Sequence, residues 1–294
     1  MKNLKKFTSM FLSAMMVVTF NGASIYAQGD ATTDAAAAQS TDTQTTDSTE
    51  KTTEPAKEPF TGWKTSGSKK YYYVNDKKVT GLYKVGKKYY YFNKSGVMQK
   101  GTTKVGNTTY YLLSNGVLDV KKVGKKAYYN KNNQRIDYYD GYEYETILTA
   151  KKILNKITKK SDSKETKRLK AFKWVQAKTY QIKRAFTFQK GWMAIYANDH
   201  FKPNYKGDCH ADGCAFAYLA YAIGYKNVKV VCDSKKGGNN NHCFTEIDGR
   251  VYDPLFATSY GFKTNYNVSY KTYRDGKAVS FKVPYATMKP VKKK

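Results

Sequence analysis

Residues 207–224 read GDCHADGCAFAYLAYAIG, and residues 242–254 read HCFTEIDGRVYDP. The first stretch predicts a helix with a cysteine at its start. Asp208 has the side chain of an N-cap. The small apolar run from Cys214 to Ile223 ends at Gly224, a helix stop. Cys209 then sits at the helix N-terminus, where unpaired backbone N–H groups and the positive end of the dipole favour a thiolate. Those N–H groups can also receive an oxyanion formed on an attacked carbonyl. Cys214 falls inside the helix, away from these donors, so Cys209 is the stronger nucleophile.

The second stretch predicts a hairpin that carries a base. His242 opens a strand after a Gly/Asn-rich loop, Gly237 to Asn241. Asp248-Gly249 is a two-residue turn signal. That turn sets Asp253 opposite Phe244, which makes Asp253 a diagonal same-face neighbour of His242. An aspartate beside an imidazole fixes its tautomer and stabilises the imidazolium, so the ring can activate a thiol.

Outward from these stretches, apolar spacing predicts helices over 142–157 and from 164 to about 175. The runs NVKVVCD, HCFTEID, RVYDP and AVSFKVPY predict strands. Helices first and strands afterwards argue for an α+β unit with an antiparallel sheet over 138–294. All four cysteines lie in this unit, at 209, 214, 232 and 243. With His210 and His242 they could form a zinc set. Alternatively, Cys232 and Cys243 could pair across two strands. That bond would leave His242 free, because adjacent strand residues face opposite sides. His200 and His210 read as surface residues.

The G-D-C motif, the step from Cys209 to Gly224, H-x-x-x-E-I from His242 and V-Y-D-P from Val251 resemble the transglutaminase-like superfamily over roughly 170–260. The resemblance implies an α+β papain-like core with a Cys helix packed on a sheet bearing His and Asp. It implies Cys209 as nucleophile, His242 as base and Asp253 as orienting acid, with no metal or other cofactor. Such enzymes attack an amide or ester carbonyl through a thioester. The expected substrate is an amide bond of a protein or peptide, with hydrolysis or transfer to an amine. The same fold used only for binding is the alternative. The family often has a small residue and then Trp after the His; here Cys243 and Phe244 stand there, and Phe244 is the aromatic expected to shield the site.

Upstream, residues 62–81 read GWKTSGSKKYYYVNDKKVTG and residues 82–101 read LYKVGKKYYYFNKSGVMQKG. Residues 102–120 read TTKVGNTTYYLLSNGVLDV, and 121–137 read KKVGKKAYYNKNNQRID. Gly67, Gly86, Gly106 and Gly124 recur 18 to 20 residues apart, each followed after two or three residues by paired tyrosines. Each unit predicts strand, tight turn, strand. One hairpin is marginal in water, so the units must stack and bury tyrosines against one another.

This array, residues 59–137, resembles the cell-wall-binding, choline-binding-type repeats of secreted bacterial proteins. The resemblance implies an all-β solenoid of stacked hairpins. Trp63, Tyr72, Tyr90 and Tyr111 are its expected ligand-facing aromatics, about half of the tyrosines being solenoid core. Aromatic rings attract a quaternary ammonium by cation–π interaction. Trp63 is the only Trp in the four units, and residues 60–137 carry 17 Lys and Arg against 3 acids. Anionic wall polymer is therefore the expected partner.

The N-terminus predicts export. Lys2, Lys5 and Lys6 precede the apolar run FTSMFLSAMMVVTF at 7–20, and Ala27 is the expected last residue removed. The run is shorter than the ~20 residues of a membrane span. The membrane is then met only through the cleaved signal peptide, residues 1–27. Residues 28–58 are Thr-, Ala-, Asp- and Ser-rich and read as a disordered linker. The formal net charge is +29, which attracts polyanions. In an exported chain this points to wall polymers and away from nucleic acid. The expected location is secreted, at the cell wall or cell surface.

Overall fold

A computed structural model of the protein describes residues 57–203, 207–236 and 241–292. The expected signal peptide, and the linker up to residue 56, lie outside the described residues. The repeats form ten short strands: β1 (Gly62–Ser66), β2 (Lys69–Val74), β3 (Lys77–Lys78), β4 (Gly81–Val85), β5 (Lys88–Phe92), β6 (Gly101–Val105), β7 (Thr108–Leu112), β8 (Leu118–Val123), β9 (Ala127–Tyr129) and β10 (Arg135–Ile136). They make three antiparallel sheets, ordered β1-β2-β3, β4-β5 and β10-β9-β8-β7-β6.

Two-residue turns start at Gly67, Gly86 and Gly106, closing Ser66 on Lys69, Val85 on Lys88 and Val105 on Thr108. The three glycines have φ of +54°, +57° and +53°. A Cβ there would meet nothing, so the left-handed backbone, and not space, calls for glycine.

Successive hairpins join by backbone and ring contacts. The Met98 amide donates to the Lys70 carbonyl at 2.8 Å. Tyr91 stacks on Tyr110 with centroids 4.3 Å apart. Tyr91, Leu112 and Leu118 form one small core, and Val120, Tyr128 and Ile136 another. Burying a large apolar side chain stabilises by roughly 1.5–3 kcal/mol, which each hairpin obtains only from its neighbours.

The last hairpins dock on α1 (Tyr138–Ile157). Glu145 of α1 accepts hydrogen bonds from Tyr128 at 2.6 Å, from Lys122 at 2.7 Å, and from Tyr111. Burial pushes the Glu145 carboxyl up, but these donors outweigh it and hold it below its usual range. Gly141 lies flat against the Tyr128 ring, where a Cβ would clash.

Four further helices follow: α2 (Lys164–Gln176), α3 (Trp192–Phe201), α4 (Cys209–Ile223) and α5 (Pro254–Tyr260). Five strands form one antiparallel sheet: β11 (Val228–Cys232), β12 (Cys243–Ile247), β13 (Arg250–Tyr252), β14 (Tyr266–Val268) and β15 (Val279–Val283), in the order β14-β13-β12-β11-β15. Helix α4 is buried on all sides from Cys209 to Ala220, as the apolar run from Cys214 onward requires. It lies between the sheet and the other helices, and α1 fixes it through a 2.6 Å hydrogen bond from Tyr218 to Glu143.

One boundary and two elements differ from the sequence reading. Helix α1 starts at Tyr138, four residues before Tyr142, because Asp137 caps it by accepting from the Tyr139 amide. Helices α3 and α5 were not expected. The α3 run, WMAIYANDHF, has eight buried residues, so it shows no polar face to mark a helical period. Among the described residues, no helix is long and apolar enough to cross a membrane.

Candidate functional site

Helix α4 and the β12–β13 hairpin bring three expected residues together. The Asp208 side chain accepts from the Ala211 amide at 2.9 Å and starts α4, which sets Cys209 in its first turn. The turn at Asp248-Gly249 pairs Ile247 with Arg250 and Thr245 with Tyr252, so Asp253 follows on the strand face of His242. His242 Nε2 stands 2.6 Å from Asp253 Oδ2, and the His242 ring is near enough to the Cys209 sulfur to favour its thiolate. The Cys209 thiol donates to the Asn241 carbonyl at 3.7 Å.

Burial pushes the Cys209 thiol up, but the neighbouring His210 and His242 imidazoles outweigh it and bring the thiol below its ordinary value. Burial lowers the His242 imidazole, while Asp253 and then Cys209 raise it to about 10. The pair is therefore biased toward thiolate and imidazolium, the form that attacks a carbonyl. Cys214 is free and fully buried, and burial pushes its thiol well up. It is a packing residue.

Asp253 does more than orient His242. Its Oδ1 accepts from the Phe256 amide at 2.9 Å and caps α5, and its Oδ2 accepts from the Tyr273 hydroxyl at 2.6 Å. Phe256 lies parallel on the His242 ring, 4.1 Å away. Phe244 is wholly buried, with its centroid 6.3 Å from the same ring. The ring lying closest over His242 is therefore that of Phe256, with Phe244 behind. The sequence did carry a signal for Phe256: it stands three residues past the cap Asp253 and two past Pro254, where the first helical turn returns to its start. Tyr273 had no such signal, being 20 residues from Asp253.

Cys232 and Cys243 form a disulfide between paired strand positions, which removes both from the possible zinc set. Among the described residues, no three His, Cys, Asp or Glu side chains gather to hold a metal ion. The reading of His200 and His210 as surface residues is corrected. His200 is wholly buried, 2.9 Å from Asp212. His210 is 4% exposed and stacks on Phe186 at 3.8 Å. Adjacent polar residues gave no sign that α2 and α4 would cover His200, or that α3 would cover His210.

In the repeats, Trp63, Tyr72 and Tyr90 meet. Trp63 lies 5.1 Å from Tyr72 and 5.1 Å from Tyr90, with Phe92 at 5.9 Å and Tyr83 reached through Tyr72. The Lys70 ammonium sits 4.4 Å over the Trp63 ring. Tyr111 does not join them. It is bound to Glu145 and packs against Tyr144 at 5.5 Å, because its face of the array is covered by α1.

Residues 79–121 match the model of the choline-binding repeat family. A choline binding domain from Streptococcus pneumoniae is 35% identical over 20% of this chain and 94% of its own length, with a TM-score of 0.19. Choline binding protein F from the same organism is 30% identical over 27% of this chain and 32% of its own, with a TM-score of 0.21. The modular Cpl-1 endolysin, complexed with a peptidoglycan analogue, is 30% identical over 26% of this chain and 24% of its own, with a TM-score of 0.20. The chain thus spans a third or less of the latter two proteins. A comparison with curated proteins finds no match.

Proposed function

We propose that this chain is a wall-binding surface protein whose repeats carry a transglutaminase-like cysteine enzyme. The family match at 79–121 supports the binding half. In the repeats, the ring cluster around Trp63 suits a quaternary ammonium, and the surrounding lysines suit an anionic polymer. Lys70 over Trp63 indicates that this ring face attracts a cation. Binding of the full chain to isolated bacterial walls tests this half. Free choline should compete if the rings hold an ammonium, and salt should compete if lysines hold phosphate.

The Cys209–His242–Asp253 contact carries the enzymatic half. The Cys209 thiolate attacks the carbonyl carbon of an amide, and the carbonyl electron pair moves to oxygen. Helix N-terminal N–H groups offer that oxygen donors. Collapse breaks the C–N bond, and His242 gives its proton to the leaving amine. Water or a second amine then attacks the thioester, His242 takes the proton, and the thiolate leaves. Asp253 keeps Nε2–H bound and Nδ1 directed to sulfur throughout. A papain-like core, with helix α4 on the antiparallel sheet, is the fold that this reading assigns.

A second reading, wall binding without chemistry, is favoured by the family match lying wholly within the repeats. Cys209→Ala separates the two. Loss of amine incorporation and peptide cleavage, with wall binding kept, supports the enzyme; activity that survives the substitution removes Cys209 from the reaction.

A further inference from the structure

We propose that His210 is a second imidazole of the site: held by Asp208, it keeps a positive charge against the Cys209 sulfur and supports the thiolate independently of His242. The inference rests on the reading of Cys209 as the nucleophile.

The geometry is specific. His210 Nδ1 lies 3.6 Å from Cys209 Sγ and 3.6 Å from Asp208 Oδ1. The ring cannot swing away. Phe186 stacks on one face at 3.8 Å and 21°, and Tyr196 of α3 packs beside it at 5.5 Å. Its Nε2 has no partner among the described residues, so the ring is positioned by the stack and by Nδ1. A histidine needed only to fill space would not be set with one nitrogen between a carboxylate and a thiol.

The charged and titratable groups around the ring agree. Asp208 and Cys209 face it from its own helix, and His242 shares the sulfur. Tyr196 faces it from α3, and the Arg184 guanidinium lies 5.7 Å from the centre of the Tyr196 ring. Phe186 makes the remaining wall apolar. Burial lowers the His210 imidazole, but Asp208 and then Cys209 raise it to about 9. Cys209 is 7% exposed, and a thiol so buried is costly to ionise. Two cations offset that cost better than one.

The two rings then divide the work. His242 gives up its proton to the leaving amine and becomes neutral. His210 keeps its proton through the cycle. When the thioester is attacked and the C–S bond breaks, the electron pair returns to sulfur beside a cation that is still charged. His210 thus favours the thiolate both as nucleophile and as leaving group.

The test is alkylation of Cys209 in the full chain by iodoacetamide, followed by mass spectrometry from about pH 4 to 10. His242→Ala should lose several-fold in reactivity at about pH 6 and still react clearly faster than the double variant. His210→Phe keeps a ring on Phe186 and removes the charge; its reactivity midpoint should rise by about one pH unit, a tenfold loss of thiolate on the acid side. Asp208→Asn keeps the cap and the ring, and should shift the midpoint in the same direction. The double variant His210→Phe, His242→Ala should be silent at about pH 6. The proposal fails if His242→Ala alone is as silent as the double variant, or if His210→Phe matches the parent. Alkylation needs no substrate, so an inactive parent in amide assays would count against the proposed reaction and leave this result standing.

Discussion

A Cβ placed on Gly213 would stand 3.1 Å from the Cα of Phe244 and 3.0 Å from the Cys243 carbonyl. Helix α4 and strand β12 therefore touch backbone to backbone. The Thr245 hydroxyl closes the contact by donating to the Gly213 carbonyl at 2.7 Å. This approach, one turn along from Cys209, brings the cysteine helix within reach of the histidine strand. Gly213→Ala should push the two apart. Thermal unfolding should show a loss of about 1–3 kcal/mol, the usual cost of overpacking. Cys209 alkylation at mildly acidic pH should fall several-fold, because the imidazole no longer reaches the sulfur. An unchanged alkylation rate would mean that the spacing does not govern the pair.

Asp253 is 1% exposed and shared by His242, the α5 cap and Tyr273. Asp253→Asn keeps a cap oxygen but removes the charge that holds the tautomer. Its kcat should fall by about 10²–10⁴. Tyr273→Phe leaves the charge and removes one donor. It should cost about 1–3 kcal/mol of stability and under tenfold in kcat. Steady-state kinetics beside urea unfolding checks both, and equal kcat losses would place Tyr273 in the reaction itself.

The pH profile has a definite sign. Cys209 is held below its ordinary value and His242 is raised to about 10. Falling pH protonates the thiolate, so kcat/KM should drop on an acid limb below the range of a free thiol. Rising pH through about 10 strips His242 of the proton needed by the leaving amine, and turnover should drop again. Alkylation of Cys209 needs no such proton and should persist on the alkaline side. A turnover profile that rises only above about pH 8.5, as for a free thiol, would contradict the paired state.

The repeats make a contrasting pair of variants. Trp63 stands at the centre of the ring cluster, whereas Tyr111 is tied to Glu145. Trp63→Ala should lower retention on isolated walls at least several-fold. Tyr111→Phe should leave retention intact and cost about 1–3 kcal/mol, since Glu145 loses a donor in a half-buried site. Sedimentation with walls and thermal melting read the two effects separately.

Much of this is legible in the sequence. Turn glycines at a fixed spacing specify hairpins, because a left-handed turn excludes most other residues. Asp248-Gly249 fixed the register that carries Asp253 to His242, because strand faces alternate strictly. The less legible parts depend on contacts distant in sequence. Helix α3 lacks a polar stripe because it is covered on most sides, so periodicity passes it by. His210 looked like a surface residue because its Phe186 stack and α3 cover come from a loop and a helix upstream. Tyr111 matched the aromatic positions of earlier units, but its environment is set by α1, which ends the series.

Glu145 gathers three donors from the closing hairpins onto one helix, so the joint between array and helices has little freedom to swivel. A catalyst on a slack leash sweeps a volume and meets partners by diffusion. One bolted to a stiff post works at a set height and heading above whatever the post stands on. For a protein of the proposed kind, neighbourhood then selects the substrate as strongly as chemistry does: the bonds it reaches are those that the surface itself presents at that height.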